Sequence, residues 1–311
     1  MKKNRIDVII PTYRPGEELI RLLEALEAQT VPPETILLMN TQEELLRPFL
    51  QESKLLERFD KLVIRHVKKE EFDHGRTRHL GVGHSKAPFF LCMTQDAVPA
   101  NHRLIEELLK GLEEEGVAVS YARQLPRQDC SLLERYTREF NYPPESRIKS
   151  AEDLDSLGIK TYFCSNVCAA YNRRIYEECG GFIQKTIFNE DMIYAARAID
   201  RGYRIAYCAD ARVIHSHNYS GKQQFHRNFD LGVSQADHPE IFGKVTSERE
   251  GGRMVKRVLG TLLKEGRLIL AFRFVYQSGC KWLGYRLGKG YKSLPVGLCK
   301  VFSMEKNYWR I

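Results

Sequence analysis

The 311-residue sequence has no run of roughly 18 uncharged apolar residues, so it offers no candidate membrane-spanning helix. Gly-Lys-Ser/Thr is missing, which excludes a P-loop, and so is the six-residue glycine pattern of dinucleotide-binding folds. The eight cysteines (92, 130, 164, 168, 179, 208, 280 and 299) form no Cys-x-x-Cys pair. Cys164 and Cys168 have no second Cys/His pair at zinc-finger spacing, so reduced, mostly buried thiols are expected. Neither an internal repeat nor a low-complexity linker is present. The opening Met1–Arg5 leads into Ile6–Ile10, an apolar stretch too short for a signal peptide and stopped by Pro11. A cytosolic protein is expected.

The chain has 43% apolar residues and 10% aromatics, ample for one large domain or two ordinary ones. Charge is unevenly placed. Residues 253–311 carry 13 Lys+Arg against Glu265 and Glu305, a net of +11, whereas 1–252 carry 35 basic and 38 acidic residues, a net of −3. The basic character belongs to the tail.

Along the body, short apolar runs alternate with helix-period segments, the pattern of a mainly parallel sheet covered by helices. Strands are predicted at Ile6–Ile10, Ile36–Met39, Leu62–Val67, Phe89–Met93, Val117–Tyr121, Tyr162–Tyr171, Tyr203–Cys208 and Ala211–Ile214. Between them, Leu19, Leu22, Leu23 and Leu26 line one helical face, and a Gly-bearing helix is predicted near 76–86. Asn101 is read as the cap of a helix through Glu115, and Asn172 as the cap of one closed by Gly180-Gly181. A further helix is expected over Asp191–Arg201. The polar stretch 124–160 reads as an excursion across the open end of the sheet, and 218–235 as helical. In the tail, Val255, Val258, Leu259, Leu262 and Leu263 line one face of a helix; Lys256, Arg257, Gly260, Lys264 and Arg267 line the other.

Four motifs could carry chemistry. Thr94-Gln95-Asp96-Ala97 follows a buried strand, where open α/β sheets bind ligands; Asp96 is either a divalent-cation ligand or ordinary turn chemistry. Glu190-Asp191 opens a helix, where the two carboxylates either simply complement its dipole or supply a general base, a role that an ionised Asp191 suits. His215 and His217, at i and i+2 on an extended segment, point to opposite faces, so only one of them is expected to reach an ion or pyrophosphate unless the chain turns. Finally, Phe72-Asp73-His74-Gly75-Arg76-Thr77-Arg78-His79-Leu80-Gly81 places Arg76 and Arg78 among glycines at a helix start, a setting that admits a phosphate.

The order of these features resembles the family 2 glycosyltransferases. Its elements are Val8-Ile9-Ile10-Pro11-Thr12-Tyr13, the Arg78-x-x-Gly81 helix, Gln95-Asp96, Gly180-Gly181-Phe182, Glu190-Asp191 and the late His215, spanning about residues 5–235. Within that family, Phe72–Arg78, Thr94–Ala97, and Phe140–Pro143 with Phe163–Asn166 resemble the bacterial rhamnosyltransferase branch. The resemblance implies a GT-A-type, Rossmann-like α/β fold and an inverting transfer with Asp191, beside Glu190, as catalytic base. It implies nucleotide-sugar contacts from Pro11, Thr12, Tyr13, Asn40, Arg76, Arg78, Thr94, Gln95 and Asp96, and an Mg²⁺ or Mn²⁺ ion on Asp96 with His215 and His217. Thr94 stands where the family has the first Asp of Asp-x-Asp. Asn40 takes the place of an acidic base contact after the second strand. Asn166, at a strand end facing the acceptor side, is read either as an acceptor contact or as an ordinary buried Asn satisfied by backbone.

The organisation that follows is a catalytic domain over 1–240, with a donor half to about 122 and an acceptor half over 123–240, then a basic helical extension over 241–311. The expected donor is dTDP-L-rhamnose and the acceptor a cell-surface polysaccharide or lipid-linked glycan. Residues 253–311 are expected to dock on an anionic membrane at its inner, cytoplasmic face, and no nucleic acid is expected. Two other readings stand: a different donor such as a UDP-hexose, or a non-catalytic nucleotide-sugar-fold module that holds membranes through its tail.

Overall fold

Ile6, Val8, Ile9 and Ile10 have no exposed surface, as a strand covered on both faces requires, and β1 (Ile6–Thr12) sits between two parallel neighbours. The computed structural model describes residues 5–309 except 244 and 246. Met1–Asn4, part of the expectation about a leader, and the basic tail's last two residues lie outside them. After β1 come α1 (Glu17–Glu27), β2 (Ile36–Thr41), α2 (Glu43–Ser53), α3 (Leu55–Arg58), β3 (Leu62–Val67), α4 (His74–His84) and β4 (Phe89–Met93). The second half adds β5 (Val98–Pro99), α5 (Leu104–Glu113), β6 (Val117–Leu125), α6 (Leu132–Asn141), β7 (Arg147–Lys149), α7 (Leu154–Leu157), β8 (Cys168–Asn172), α8 (Arg173–Glu178), α9 (Glu190–Asp200) and β9 (Arg204–Ile214). The body closes with α10 (Gly221–Asp237), α11 (Pro239–Phe242) bridges the boundary near 240, and the extension consists of α12 (Ser247–Lys264), α13 (Leu268–Lys289) and α14 (Val296–Phe302).

The sheet order is β3-β2-β1-β4-β8-β6-β9-β5, with β7 on β9. β3, β2, β1 and β4 run parallel, β8 lies antiparallel between β4 and β6, and β6 pairs parallel with β9. From β1 the chain winds outward to β2 and β3, then returns to place β4 on the other side of β1. The carboxyl ends of β1 and β4 therefore meet at a topological switch point, where such sheets bind ligands. Leu19, Leu22, Leu23 and Leu26 of α1 and Leu104, Ile105, Leu108 and Leu112 of α5 fill one core layer. α4, α8 and α9 cover the opposite face, around Ile9, Phe90, Tyr171, Tyr176 and Tyr194.

Two expectations change, and one helix was not foreseen. The strand predicted over Tyr162–Tyr171 begins only at Cys168. Before it, the backbone N–H of Asn166 bonds the Asp191 carboxylate in place of a neighbouring strand. α2 was not signalled, because Pro48 interrupts its pattern and Leu46 is its one buried residue. Asn101 does not cap α5 directly: its Oδ1 accepts from Arg103 N, one residue ahead of the helix.

The tail departs most. The apolar face of α12 is not free, because Val258 and Leu262 are buried with Leu133 of α6 and with Ala271 and Phe274 of α13. Exposed apolar surface lies instead on α13, where Ile269 is 85%, Phe272 79% and Trp282 60% exposed. Among the described residues no helix is long and apolar enough to cross a membrane.

Candidate active site

A cleft of about 380 Å³ opens beyond the carboxyl ends of the central strands, lined from β6, α4, α6, α9, α10 and α13, the loops that follow β4 and β9, and the segment leading into β8. At one side, Asp96 follows β4 and receives His215 Nε2 at 3.5 Å and His217 Nε2 at 3.3 Å on the same carboxylate oxygen. Both histidines reach it, contrary to the alternation expected of a strand, because β9 ends at Ile214 and the chain turns. Gln124 fixes the tautomer of His215. Its amide nitrogen donates to Ser165 Oγ, so Oε1 accepts from His215 Nδ1 at 3.1 Å and leaves the Nε2 lone pair toward Asp96.

A carboxylate oxygen and an imidazole lone pair face one another favourably only across a cation or a proton. Asp96, His215 and His217 are the donor set among the described residues that fits a metal ion, with ligand atoms within 4.8 Å of one another. Two imidazoles with one carboxylate match a transition-metal dication better than Mg²⁺, which prefers oxygen ligands. Burial pushes the Asp96 carboxyl up, but where a proton fills the gap to His215 Nε2 the resulting hydrogen bond and charge outweigh burial and hold the carboxyl well below the usual range. Burial and neighbouring His215 push His217 down to about 4, keeping it neutral and able to ligate.

The start of α9 forms the other wall. Asp191 accepts from Asn166 N at 2.9 Å and from Met192 N at 2.8 Å. Glu190, buried, lies 3.0 Å from Arg78 and accepts from Asn166 Nδ2 at 3.1 Å. The two adjacent carboxyls are driven apart. Burial works against Glu190 too, yet the Arg78 charge holds it below its ordinary value. Burial and then the Glu190 charge push Asp191 up to about 7. The helix dipole therefore does not decide the state of Asp191; its neighbour and its burial do.

Other predicted residues fall at the edge of the cleft or outside it. Tyr13 N donates to Gln95 Oε1 and Gln95 Nε2 to Tyr13 O, tying the ends of β1 and β4 together at the switch point. Thr12 and Asn40 are buried and bonded to each other, and the Asn40 amide donates to Gln42 O, so Asn40 shapes the β1 and β2 ends and has no surface to offer a base. Thr94 lines the cleft. Arg78 lines it while paired with Glu190, whereas Arg76 lines a second cleft with Glu70, Asp73, Lys185 and Glu305. Gly75 and Gly81 hold no phosphate space: a Cβ on Gly75 would strike Ile183 O, and one on Gly81 would come within 2.5 Å of Ile9 Cγ2. Asn166 spends both ends of its amide, Nδ2 on Glu190 and Oδ1 on Tyr171 OH at 2.6 Å, so it positions the carboxylate pair. Sequence reading passed over Gln124, Arg138, Arg227 and Lys281, which no motif marks and which reach the cleft from β6, α6, α10 and α13.

A family model described as glycosyl transferase family 2 matches residues 7–180. The chain is 38% identical over 310 residues to O-antigen chain rhamnosyltransferase RfbN of Salmonella typhimurium, covering 98% of this chain and 96% of that protein. It is 44% identical over 247 residues to O-antigen chain rhamnosyltransferase WbaN of Salmonella anatum, covering 78% of each. Among solved structures, mannosyltransferase PcManGT from Pyrobaculum calidifontis, in complex with GDP-Man and Mn²⁺, matches at a TM-score of 0.63 and 15% identity over 93% of this chain and 87% of that one. S. aureus TarS 1–349 in complex with UDP-GlcNAc matches at 0.52 and 15% identity over 93% and 91%. At such identities the structures speak for the fold alone, and the sequence matches carry the family. With its switch-point cleft and its Asp96 and Glu190-Asp191 walls in place, this chain belongs to glycosyl transferase family 2.

Proposed function

We propose that the protein is an inverting rhamnosyltransferase that moves L-rhamnose from dTDP-L-rhamnose to a hydroxyl of a cell-surface polysaccharide or lipid-linked glycan. Rhamnosyl transfer is the activity named for both Salmonella relatives. The observation that carries the catalytic reading is the placement of Asp191, a carboxylate fixed by Asn166 N and Met192 N beside the ion-paired Glu190 and lining the same cleft as the Asp96 cluster. Burial and Glu190 push it up to about 7. A base with that affinity is matched to taking a proton near neutral pH. Asp191 accepts the proton of the acceptor hydroxyl as its oxygen bonds to the anomeric carbon. The bond to the nucleoside diphosphate breaks on the opposite face, and the configuration inverts. Arg78 and Asn166 keep Glu190 ionised beside it. Asp96, His215 and His217 would hold a divalent cation, which when bound neutralises charge on the leaving diphosphate. Pro11, Tyr13 and Gln95 frame the donor side at the switch point.

Residues 1 to about 122 then serve the donor, and 123–240 the acceptor. The protein works at the inner face of the cytoplasmic membrane, held by α13: Ile269, Phe272 and Trp282 are exposed in a segment with a net charge of +11 over 253–311. Calorimetric titration of dTDP and UDP, with Mn²⁺ and then with chelator, together with transfer assays over a donor panel, tests the reading. Metal-dependent preference for dTDP and turnover of dTDP-L-rhamnose are expected. Preference for UDP would replace rhamnose by another sugar, and binding without turnover of any donor would overturn the enzyme.

A further inference from the structure

Two cations in the cleft lack counter-charges. Arg78 is spent on Glu190, and Arg138 on Glu134 at 2.7 Å and on Gln124 Oε1. Arg227, on α10, has no carboxylate partner among the described residues. Its guanidinium carbon lies 4.7 Å from the centre of the Phe188 ring and 5.8 Å from that of Tyr219. Tyr219 in turn packs against His217 at 5.1 Å between ring centroids, so Arg227 stands on the metal side of the cleft. Lys281, on α13, also makes no hydrogen bond or ion pair among the described residues. It lines both the main cleft and a side pocket shared with His217, Tyr219 and Glu134. Burial and the charges of Arg227 and Arg138 push its amine down, against the pull of Glu134, which marks these groups as one electrostatic cluster.

Unpaired cations held in a half-enclosed cleft cost stability unless an anion completes them. We propose that Lys281 and Arg227, backed by Arg138, form an anion subsite beside His217 that holds a diphosphate group, so that the C-terminal extension completes the active site. The proposal rests on the reading of the cleft as a sugar-transfer site. Two unpaired positive charges suit a diphosphate, and a planar guanidinium next to a mobile ammonium suits its spread of oxygens. The diphosphate belongs either to the nucleotide donor or to a phosphate-linked acceptor, and the two sources share this chemistry.

α13 holds Lys281 in place by close packing. A Cβ on Gly284 would strike Phe225 O of α10, and one on Gly288 would strike Phe229 O. Leu283, two positions on from Lys281, is exposed and lines neither pocket, so it serves as a control on the same helix.

The test is calorimetric binding of inorganic pyrophosphate and of dTDP to the full chain and its Lys281→Ala, Arg227→Ala and Leu283→Ala variants, in chelator. Loss of a charge-assisted contact predicts about 10- to 100-fold weaker pyrophosphate binding for Lys281→Ala and Arg227→Ala. Lys281→Arg should recover most of it, and Leu283→Ala should match the parent. A parallel loss of dTDP affinity assigns the subsite to the donor. Unchanged dTDP affinity, with a raised KM for a diphosphate-linked acceptor, assigns it to the acceptor. Pyrophosphate binding that survives the Lys281→Ala/Arg227→Ala double variant, with its circular dichroism unchanged, overturns the proposal. Because pyrophosphate binding needs no turnover, this outcome is separate from a failure to transfer sugar.

Discussion

Asp191 and Glu190 show how one dipeptide yields two unlike carboxyls. The Arg78 charge claims Glu190, and the cost of a second buried charge falls on Asp191. Asp191→Asn should lower turnover about 10²- to 10⁴-fold while dTDP affinity holds, measured by steady-state kinetics and calorimetry. The base must be unprotonated, so kcat/KM should climb with pH and level off above about 7, the value to which Asp191 is raised. The sign for stability is opposite. A carboxyl whose folded value lies above its unfolded one stabilises the fold at low pH, and that contribution fades as pH rises from about 4 to 7. Arg78→Ala leaves Glu190 buried without a counter-charge and should cost about 3–5 kcal/mol in urea unfolding. Gln124 shows that a residue can serve a site without touching a ligand, since it decides which His215 nitrogen faces Asp96.

The end of β9 and the packing of α13 do the same for whole segments. Had β9 run on past Ile214, His215 and His217 would have faced opposite ways; because it stops, both reach one oxygen. His217→Ala should weaken Mn²⁺ binding, read by electron paramagnetic resonance of free Mn²⁺, and Mn²⁺ should bind the parent more tightly than Mg²⁺. In α13, Gly284 and Gly288 let its backbone lie against the carbonyls of α10. Gly288→Ala should cost about 1–3 kcal/mol by thermal unfolding, because the added methyl meets rigid backbone. By tilting α13, the same change should also draw Lys281 from the cleft and lower pyrophosphate affinity.

For the molecule as a whole, the extension has two surfaces with separate duties. Its inner side packs on the body through Val258, Leu262, Ala271 and Phe274 against Leu133, and its outer side exposes Ile269, Phe272 and Trp282. Phe272→Glu and Trp282→Glu should each weaken cosedimentation with anionic vesicles about tenfold or more and leave the thermal transition in place. Leu262→Glu should lower the transition itself, since a carboxylate would enter a filled apolar cluster. Removal of 253–311 should abolish sugar transfer even to a soluble acceptor, because Lys281 leaves with it and the faces of α6 and α10 that α12 and α13 cover are laid bare.

The framework of this protein was legible from local pattern. The apolar runs Ile6–Ile10, broken only by Asp7, and Phe89–Met93 are short enough to read as strands covered on both sides, and the Leu19–Leu26 spacing reads as a helix lying on them. The carboxylates at strand and helix ends, Asp96 and Asp191, were visible for the same reason. Their motifs sit where local order breaks. Gln124, Arg138, Arg227 and Lys281 were not visible, because a cleft gathers them from elements far apart in the chain and no spacing records that meeting. The apolar stripe of α12 could be seen, but which partner would cover it could not: periodicity reports that a face must be buried, and only packing against α6 and α13 decides where. The charge states of Asp191 and Asp96 likewise depend on what surrounds them, and those surroundings exist only once the chain has folded.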